Sequence, residues 1–354
     1  MGLPSIDIIF KTQAADAVRR SSKGVIGMIL KDTAGKGEHV ISGTDEIPEA
    51  LSVTNQDYIK RAFIGYVNPP RKVIAYVLDS AAEDLSDGLD FFDTQMFDYL
   101  VGPPDMDSAG ATEIADWIKA KRTNGFPYKA VLPQTVANHE AIINFDTTKV
   151  KVGATEYTAA QYCSRIAGLI AGTPMTISCT FAVLPEVNDC TRLSKSDMDT
   201  AIDAGKLIVF YDGEKVKIGR GINSLTTVTP DKGDCYKKIK IVEIVDMISQ
   251  DIKTTVQDNY IGKYANSYDN KCLLIAALKS YFETLEQDGL LEAGTSKVEI
   301  NMAKQIAYLK STGVDTDKMS EQEIKNANTG DKVFLQATIR ILDAMEDITL
   351  DILM

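Results

Sequence analysis

Alternation between strand-like and helix-like runs constrains the first 135 residues more than any other feature. Gly24–Leu30 (GVIGMIL) reads as a buried strand, and Thr54–Tyr66 as an amphipathic helix capped by Thr54 or Asn55. Tyr58, Ile59, Ala62, Phe63 and Tyr66 share one face of that helix, and Asn68-Pro69-Pro70 ends it. Lys72–Leu78 (KVIAYVL) is a second strand, rich in β-branched residues. Leu85–Leu100 is expected to form a helix stopped by Gly102-Pro103-Pro104. Thr112–Asn124 follows as another, closed by Gly125, and Tyr128–Leu132 returns to strand. This order predicts a mixed α/β fold in the α+β class, a sheet covered by helices.

The rest of the chain shifts in character. A small hairpin at Val150–Val152 and Glu156-Tyr157 precedes a helix over Thr158–Ala171 and a strand over Thr176–Phe181. Ser194 or Ser196 caps a helix that stops at Gly205. Leu207–Tyr211 and Val216–Ile218 read as strands around Asp212-Gly213, a tight-turn pair. Tyr236–Ile261 is the longest expected helix, with Ile241, Val245, Ile248, Ile252 and Val256 in one stripe. Asn270–Gln287, Asn301–Lys310 and Ser320–Asn326 are further helices. Lys332–Leu342 alternates like a strand, with Val333, Leu335, Ala337, Ile339 and Ile341 on one face. Three acids interrupt at Asp343–Asp347, and Ile348–Leu353 alternates again.

Several function classes find no support. A formal net charge of −12 argues against nucleic acid, which needs clustered Lys and Arg. No apolar run approaches the ~18–20 residues that span a bilayer, and MGLPSIDIIFK lacks the features of a signal peptide. The chain is therefore expected to start in the cytoplasm, without membrane anchoring. Cys163, Cys179, Cys190, Cys235 and Cys272 have no metal-site spacing and are read as reduced, mostly buried thiols. His39 and His139 lie in separate polar contexts. Gly35-Lys36-Gly37 and Gly219-Arg220-Gly221 lack the pattern of a phosphate-binding loop, and the second reads as a turn or strand kink. Acid clusters at Glu83–Asp90 and Asp343–Asp351 read as solvated faces. No catalytic residue, cofactor or metal is expected.

The termini carry a positive signal. Ile6, Ile8 and Phe10 line one side of a short strand at one end, and Ile348, Leu350 and Ile352 do so at the other. An unpaired strand is a hydrogen-bonding template that must be covered or used. Both ends either pair within their own domain or add to sheets of neighbouring copies.

One stretch carries a family resemblance. Ala201–Thr227, AIDAGKLIVFYDGEKVKIGRGINSLTT, followed by a long helix and alternating strands at the chain end, resembles the contractile tail sheath proteins. These form the sleeve of phage tails, phage-tail-like bacteriocins and other contractile injection systems. The chain is short for that family, and Ile218-Gly219-Arg220-Gly221-Ile222-Asn223 lacks the aromatic of the larger members. The resemblance implies a two-domain subunit: an N-terminal arm and linker (residues 1–20), an outer α/β domain (21–205), an inner domain (206–342) and a C-terminal arm (343–354). It also implies a structural subunit rather than an enzyme, forming hexameric rings in a helical sleeve around an inner tail tube protein, with baseplate and tail terminator proteins as partners. The sleeve would contract to drive the tube through a target envelope. It would assemble in the bacterial cytoplasm and leave as part of a tail or tail-like particle. The arms Leu3–Phe10 and Ile348–Leu353 would join neighbours, and Val333, Leu335, Ile339 and Ile341 would belong to the receiving sheet. Lys304, Lys310, Lys318 and Lys325, on late helices of the inner domain, are candidates for tube contact.

Two other readings remain open on sequence alone. One is an α/β enzyme with a helical C-terminal domain. The other is a different repeating shell or tube protein of a phage-like particle.

Overall fold

The computed structural model describes residue 18, residues 23–230 and residues 232–354. The expected N-terminal arm, with Ile6, Ile8 and Phe10, lies outside the described residues. Two compact units divide the chain. One holds Asp251–Leu342, the other Ser21–Gln250 with Asp343–Met354. The division falls at 250/251, so the boundary expected at 205/206 lies inside the larger unit.

The larger unit opens with β1 (Val25–Asp32), β2 (Gly37–Ile41), α1 (Val53–Phe63), β3 (Lys72–Asp79), α2 (Ser86–Phe92), β4 (Tyr99–Val101) and α3 (Ser108–Thr123). It continues through β5 (Lys129–Pro133), β6 (Ile142–Phe145), β7 (Val150–Val152), β8 (Thr155–Tyr157), α4 (Ala159–Ala171), β9 (Asp189–Cys190) and α5 (Lys195–Asp203). Then come β10 (Lys206–Leu207), β11 (Val209–Tyr211) and β12 (Val216–Ile218), before α6 (Ile239–Asn259) runs across the division.

Seven strands form one sheet in the order β10-β6-β5-β4-β1-β3-β2. All neighbours are parallel except β2, which runs antiparallel at one edge. Both faces are covered, so the central strands are apolar throughout rather than alternating. On β1, Ile26, Met28 and Leu30 join the core that includes residues of α1 and α4. Val25 and Ile29 join the opposite core, with residues of α2 and α3. Thr158 caps α4 in a box with Gln161, the reciprocal pair that satisfies two first-turn donors.

Three expectations change here. Leu85–Leu100 is not one helix: α2 stops at Phe92, and Tyr99–Val101 becomes a central strand between β1 and β5. The Phe97–Val101 run is aromatic and β-branched, and strands on both sides satisfy its backbone, so tertiary pairing outweighs helical spacing. Thr176–Phe181 is irregular rather than a strand. Helix α6 starts at Ile239, after a 3-10 turn at Asp234–Lys237. Its first ten residues are buried on more than one face rather than along a single stripe, because charged groups are paired there. Glu243 meets Lys23 at 2.6 Å and the Tyr99 hydroxyl at 2.5 Å, and Asp246 meets Arg122 at 2.6 Å and Lys129 at 3.0 Å.

The smaller unit contains the end of α6, then α7 (Tyr268–Gln287), β13 (Lys297–Ile300), α8 (Met302–Ser311), α9 (Glu321–Asn326) and β14 (Leu335–Thr338). Tyr281, Phe282, Leu285, Leu290, Leu291 and Leu309 are buried in it. Buried Gln305 donates to the Ile324 carbonyl at 2.6 Å, tying α8 to α9. The strand expected over Lys332–Leu342 shrinks to β14, paired antiparallel with β13, plus an isolated bridge from Leu291 to Ile341. Sequence periodicity misses β13, a four-residue strand of mixed polarity.

Candidate subunit interface

The site begins at the glycine pair around Arg220. A β-carbon at Gly221 would lie 2.9 Å from Cys179 Sγ and 3.0 Å from Ser178 Oγ, so only glycine lets this backbone pass so closely. The Gly221 amide donates to Thr180 Oγ1 at 2.9 Å. The segment expected as a strand, Thr176–Phe181, instead presents Ser178 and Thr180 beside Arg220.

Those groups hold the root of the C-terminal arm. Glu346 has a buried side chain, and its Oε1 accepts from Ser178 Oγ at 3.1 Å and Thr180 Oγ1 at 2.5 Å. Its Oε2 lies 3.3 Å from Lys238 Nζ and 3.5 Å from Arg220 Nε. Asp343 pairs with Lys238. Arg220 Nη2 meets both Asp347 oxygens at 2.6 Å. Arg220's hydrogen bond holds the Asp347 carboxyl below its ordinary range, and the same bond raises the Arg220 pKa. Burial opposes charge on Lys238, but Asp343 and Glu346 outweigh it and raise that pKa. The acidic run 343–347 is solvated at Asp343 and Asp347, as expected, but buries the Glu346 side chain. Its three acids pair with cations more than a hundred positions earlier, a relationship with no local sequence signal.

Beyond Asp347 the arm is bare. Ile348 is 80% exposed, Leu350 76%, Ile352 75% and Leu353 97%. No strand is assigned over Ile348–Leu353 in the isolated subunit. This is an apolar template fixed at one end, the condition in which an unpaired segment adds to another sheet.

Among the described residues the smaller unit contains a two-stranded sheet. Among the described residues β14 pairs with β13 alone, so one edge of each strand is unpaired. Val333 is exposed, and Leu335, Ile339 and Ile341 are half-buried. The tube-contact candidates lie elsewhere in that unit and are partly neutralised locally. Lys310 pairs with Asp317, Lys318 with Asp315 and Lys325 with Glu321, while Lys304 is exposed on the first turn of α8. No helix among the described residues is long and apolar enough to cross a membrane.

The structure thus presents a rooted, exposed aliphatic segment and, among the described residues, a two-stranded sheet with unpaired edges. Comparison with known proteins specifies the family. Residues 79–224 match the family model of the phage tail sheath protein central domain, and residues 231–354 match that of the phage tail sheath C-terminal domain. The tail sheath protein of Clostridium phage phiCD119 is 41% identical over 361 residues, covering 100% of this chain and 99% of that protein. The fold matches the helical sheath of the anti-feeding prophage in its contracted state, with TM-score 0.72, 17% identity, and coverage of 100% of this chain and 99% of that one. It also matches the sheath tail protein of Desulfitobacterium hafniense, with TM-score 0.70, 17% identity, and coverage of 84% and 94%. The chain belongs to the phage tail sheath protein family and is a structural sheath subunit of a phage tail or tail-like particle.

Proposed function

We propose that copies of this chain join by strand addition into a helical sleeve around an inner tube, and that the sleeve contracts. The observation that carries this reading is the C-terminal arm, rooted by Glu346 and Asp347 and bare from Ile348 onward. The receiving sheet is β13–β14, around Val333, Leu335, Ile339 and Ile341. The segment with Ile6, Ile8 and Phe10 is the second linking arm. Covering Ile348, Leu350 and Ile352 contributes on the order of 5 kcal/mol before ordering costs. One such link is modest, and many in series make a continuous mesh. Contacts between unlike surfaces that do not close on themselves propagate as a helix.

Contraction in this reading releases energy stored in the assembled sleeve, without an active site or nucleotide. Hexameric rings, an inner tail tube protein, a baseplate and a tail terminator are the partners. The smaller unit faces the tube, with Lys304, Lys310, Lys318 and Lys325 as the first cations to test. Assembly takes place in the bacterial cytoplasm, before release of the particle.

Negative-stain microscopy of the full chain, beside versions lacking residues 343–354 or 1–11, tests the arms. Hollow cylinders from the full chain, lost on either deletion, are the expected result. Cylinders that persist without an arm remove the linking role of that arm.

A further inference from the structure

Arg61, in the last turn of α1, has no acid paired with it among the described residues. Its guanidinium lies over the Tyr157 ring, 4.5 Å from the centroid, and its Nε is buried without a hydrogen-bond partner. The surrounding acids are committed elsewhere. Asp57, one turn earlier, pairs with Lys60; Glu156, beside Tyr157, pairs with Lys149; Glu186 pairs with Arg165. Stacking on an aromatic face holds the plane of the guanidinium and leaves its edge free to donate, the geometry that receives a carboxylate. Ile64, one turn further on, is exposed and adds apolar surface beside it.

The opposite shortage lies around α2. Glu83, Asp87 and Asp90 are exposed and form no ion pair among the described residues, whereas the flanking Asp79 and Asp93 pair with Lys36 and Lys121. Asp87 and Asp90 stand one turn apart on one helix, where like charges repel. Helices α1 and α2 cover opposite faces of the seven-stranded sheet, α1 through Tyr58, Ile59 and Ala62, and α2 through Leu89 and Phe92. The sheet therefore stands between Arg61 and these acids within any one subunit.

We infer that Arg61 receives a carboxylate from the Asp87–Asp90 turn of a second copy, a head-to-tail contact between the α1 face of one larger unit and the α2 face of the next. With 50 acidic and 38 basic side chains the chain has acids to spare, so the surface of another copy supplies the carboxylate that Arg61 lacks at home. The two surfaces are unlike and lie on opposite faces, so a pair of copies leaves one of each unused. The contact then passes from copy to copy, as a helical assembly requires. Matching charge also suppresses the wrong approach, since two α2 faces repel.

This inference rests on the reading of the chain as a self-assembling sleeve, and one experiment separates their failures. Assembly of the full chain is followed by light scattering for R61E, for D87K/D90K, for a 1:1 mixture of the two, and for a deletion of residues 343–354. Each charge variant alone is expected to raise the concentration needed for assembly about tenfold or more. The mixture is expected to recover most of that loss, because the two altered faces attract each other while the two unaltered faces still match. A folding defect gives no such recovery, and D87K/D90K changes exposed side chains only. If either charge variant assembles like the unaltered chain, or the mixture assembles no better than its components, the Arg61 contact is overturned; strand addition stands if the deletion still abolishes polymers. If the charge variants behave as expected and the deletion assembles normally, strand addition fails and the contact stands. An unaltered chain that stays monomeric overturns both.

Discussion

The Arg220 guanidinium holds both carboxylate oxygens of Asp347 at 2.6 Å across 127 positions of sequence. The contact marks the boundary between the anchored root of the C-terminal arm and its bare aliphatic end. It also gives Gly219-Arg220-Gly221 a role: the close approach of Gly221 to Ser178 and Cys179 places Arg220 beside the donors that hold Glu346.

Removing Glu346 should free the root without unfolding the unit. Glu346→Ala leaves Ser178, Thr180 and Lys238 without their shared acceptor, a loss of about 1–3 kcal/mol. Limited proteolysis should then cut within residues 343–347 faster than in the unaltered chain. Arg220→Lys keeps the charge but loses the two-oxygen grip, and should give an intermediate rate. Equal cutting rates in all three would remove the anchoring role.

Acid should release the same root. The Asp347 carboxyl is held below its ordinary value of about 3.8 by Arg220. A carboxyl lowered on folding contributes stability that is complete above its unfolded value and lost as pH falls through its folded value. Attachment should therefore be constant from neutral pH down to about pH 5 and weaken below about pH 4. Anisotropy of a fluorophore at the C-terminus should drop only in that acid range, and should be low throughout in Arg220→Ala.

Lys271→Met should stabilise the isolated subunit. Replacing a buried ammonium that lacks a counter-charge by an apolar chain of similar length removes a desolvation cost, for a gain of about 1 kcal/mol, or roughly 1–2 °C in Tm. A calorimetric scan of the unassembled protein measures it. A lower Tm would show that the ammonium is already satisfied within the subunit.

Packing of α1 on α4 should depend on one small residue. A β-carbon at Gly168 would lie 2.0 Å from the Ala62 carbonyl oxygen, so Gly168→Ala forces the two helices apart. The expected loss is about 1–3 kcal/mol by chemical denaturation, in spite of alanine's better helix propensity.

Much of the architecture was legible in local pattern. The apolar runs at β1 and β3 read as strands of a sheet covered by helices, and the helix expected over Thr158–Ala171 is α4. Short elements were not legible. Tyr99–Val101 is too brief for a period to decide between helix and strand, and the alternation of β13 spans only the four residues Lys297–Ile300. The bare arm at Ile348, Leu350 and Ile352 was readable because alternation persists whether or not a partner is present. Its root was not, because Glu346 and Asp347 looked like any exposed acids until the fold brought Ser178, Thr180, Arg220 and Lys238 to them.

The sequence by itself determined the strand-and-helix order, the apolar chain end and the resemblance to tail sheath proteins, since all three are properties of neighbouring residues. Tertiary structure alone decided where the division falls, which acids are paired, and that Lys271 is buried without a counter-charge. Those depend on groups far apart in the chain, brought together by the burial of the sheet and helices rather than by any local preference.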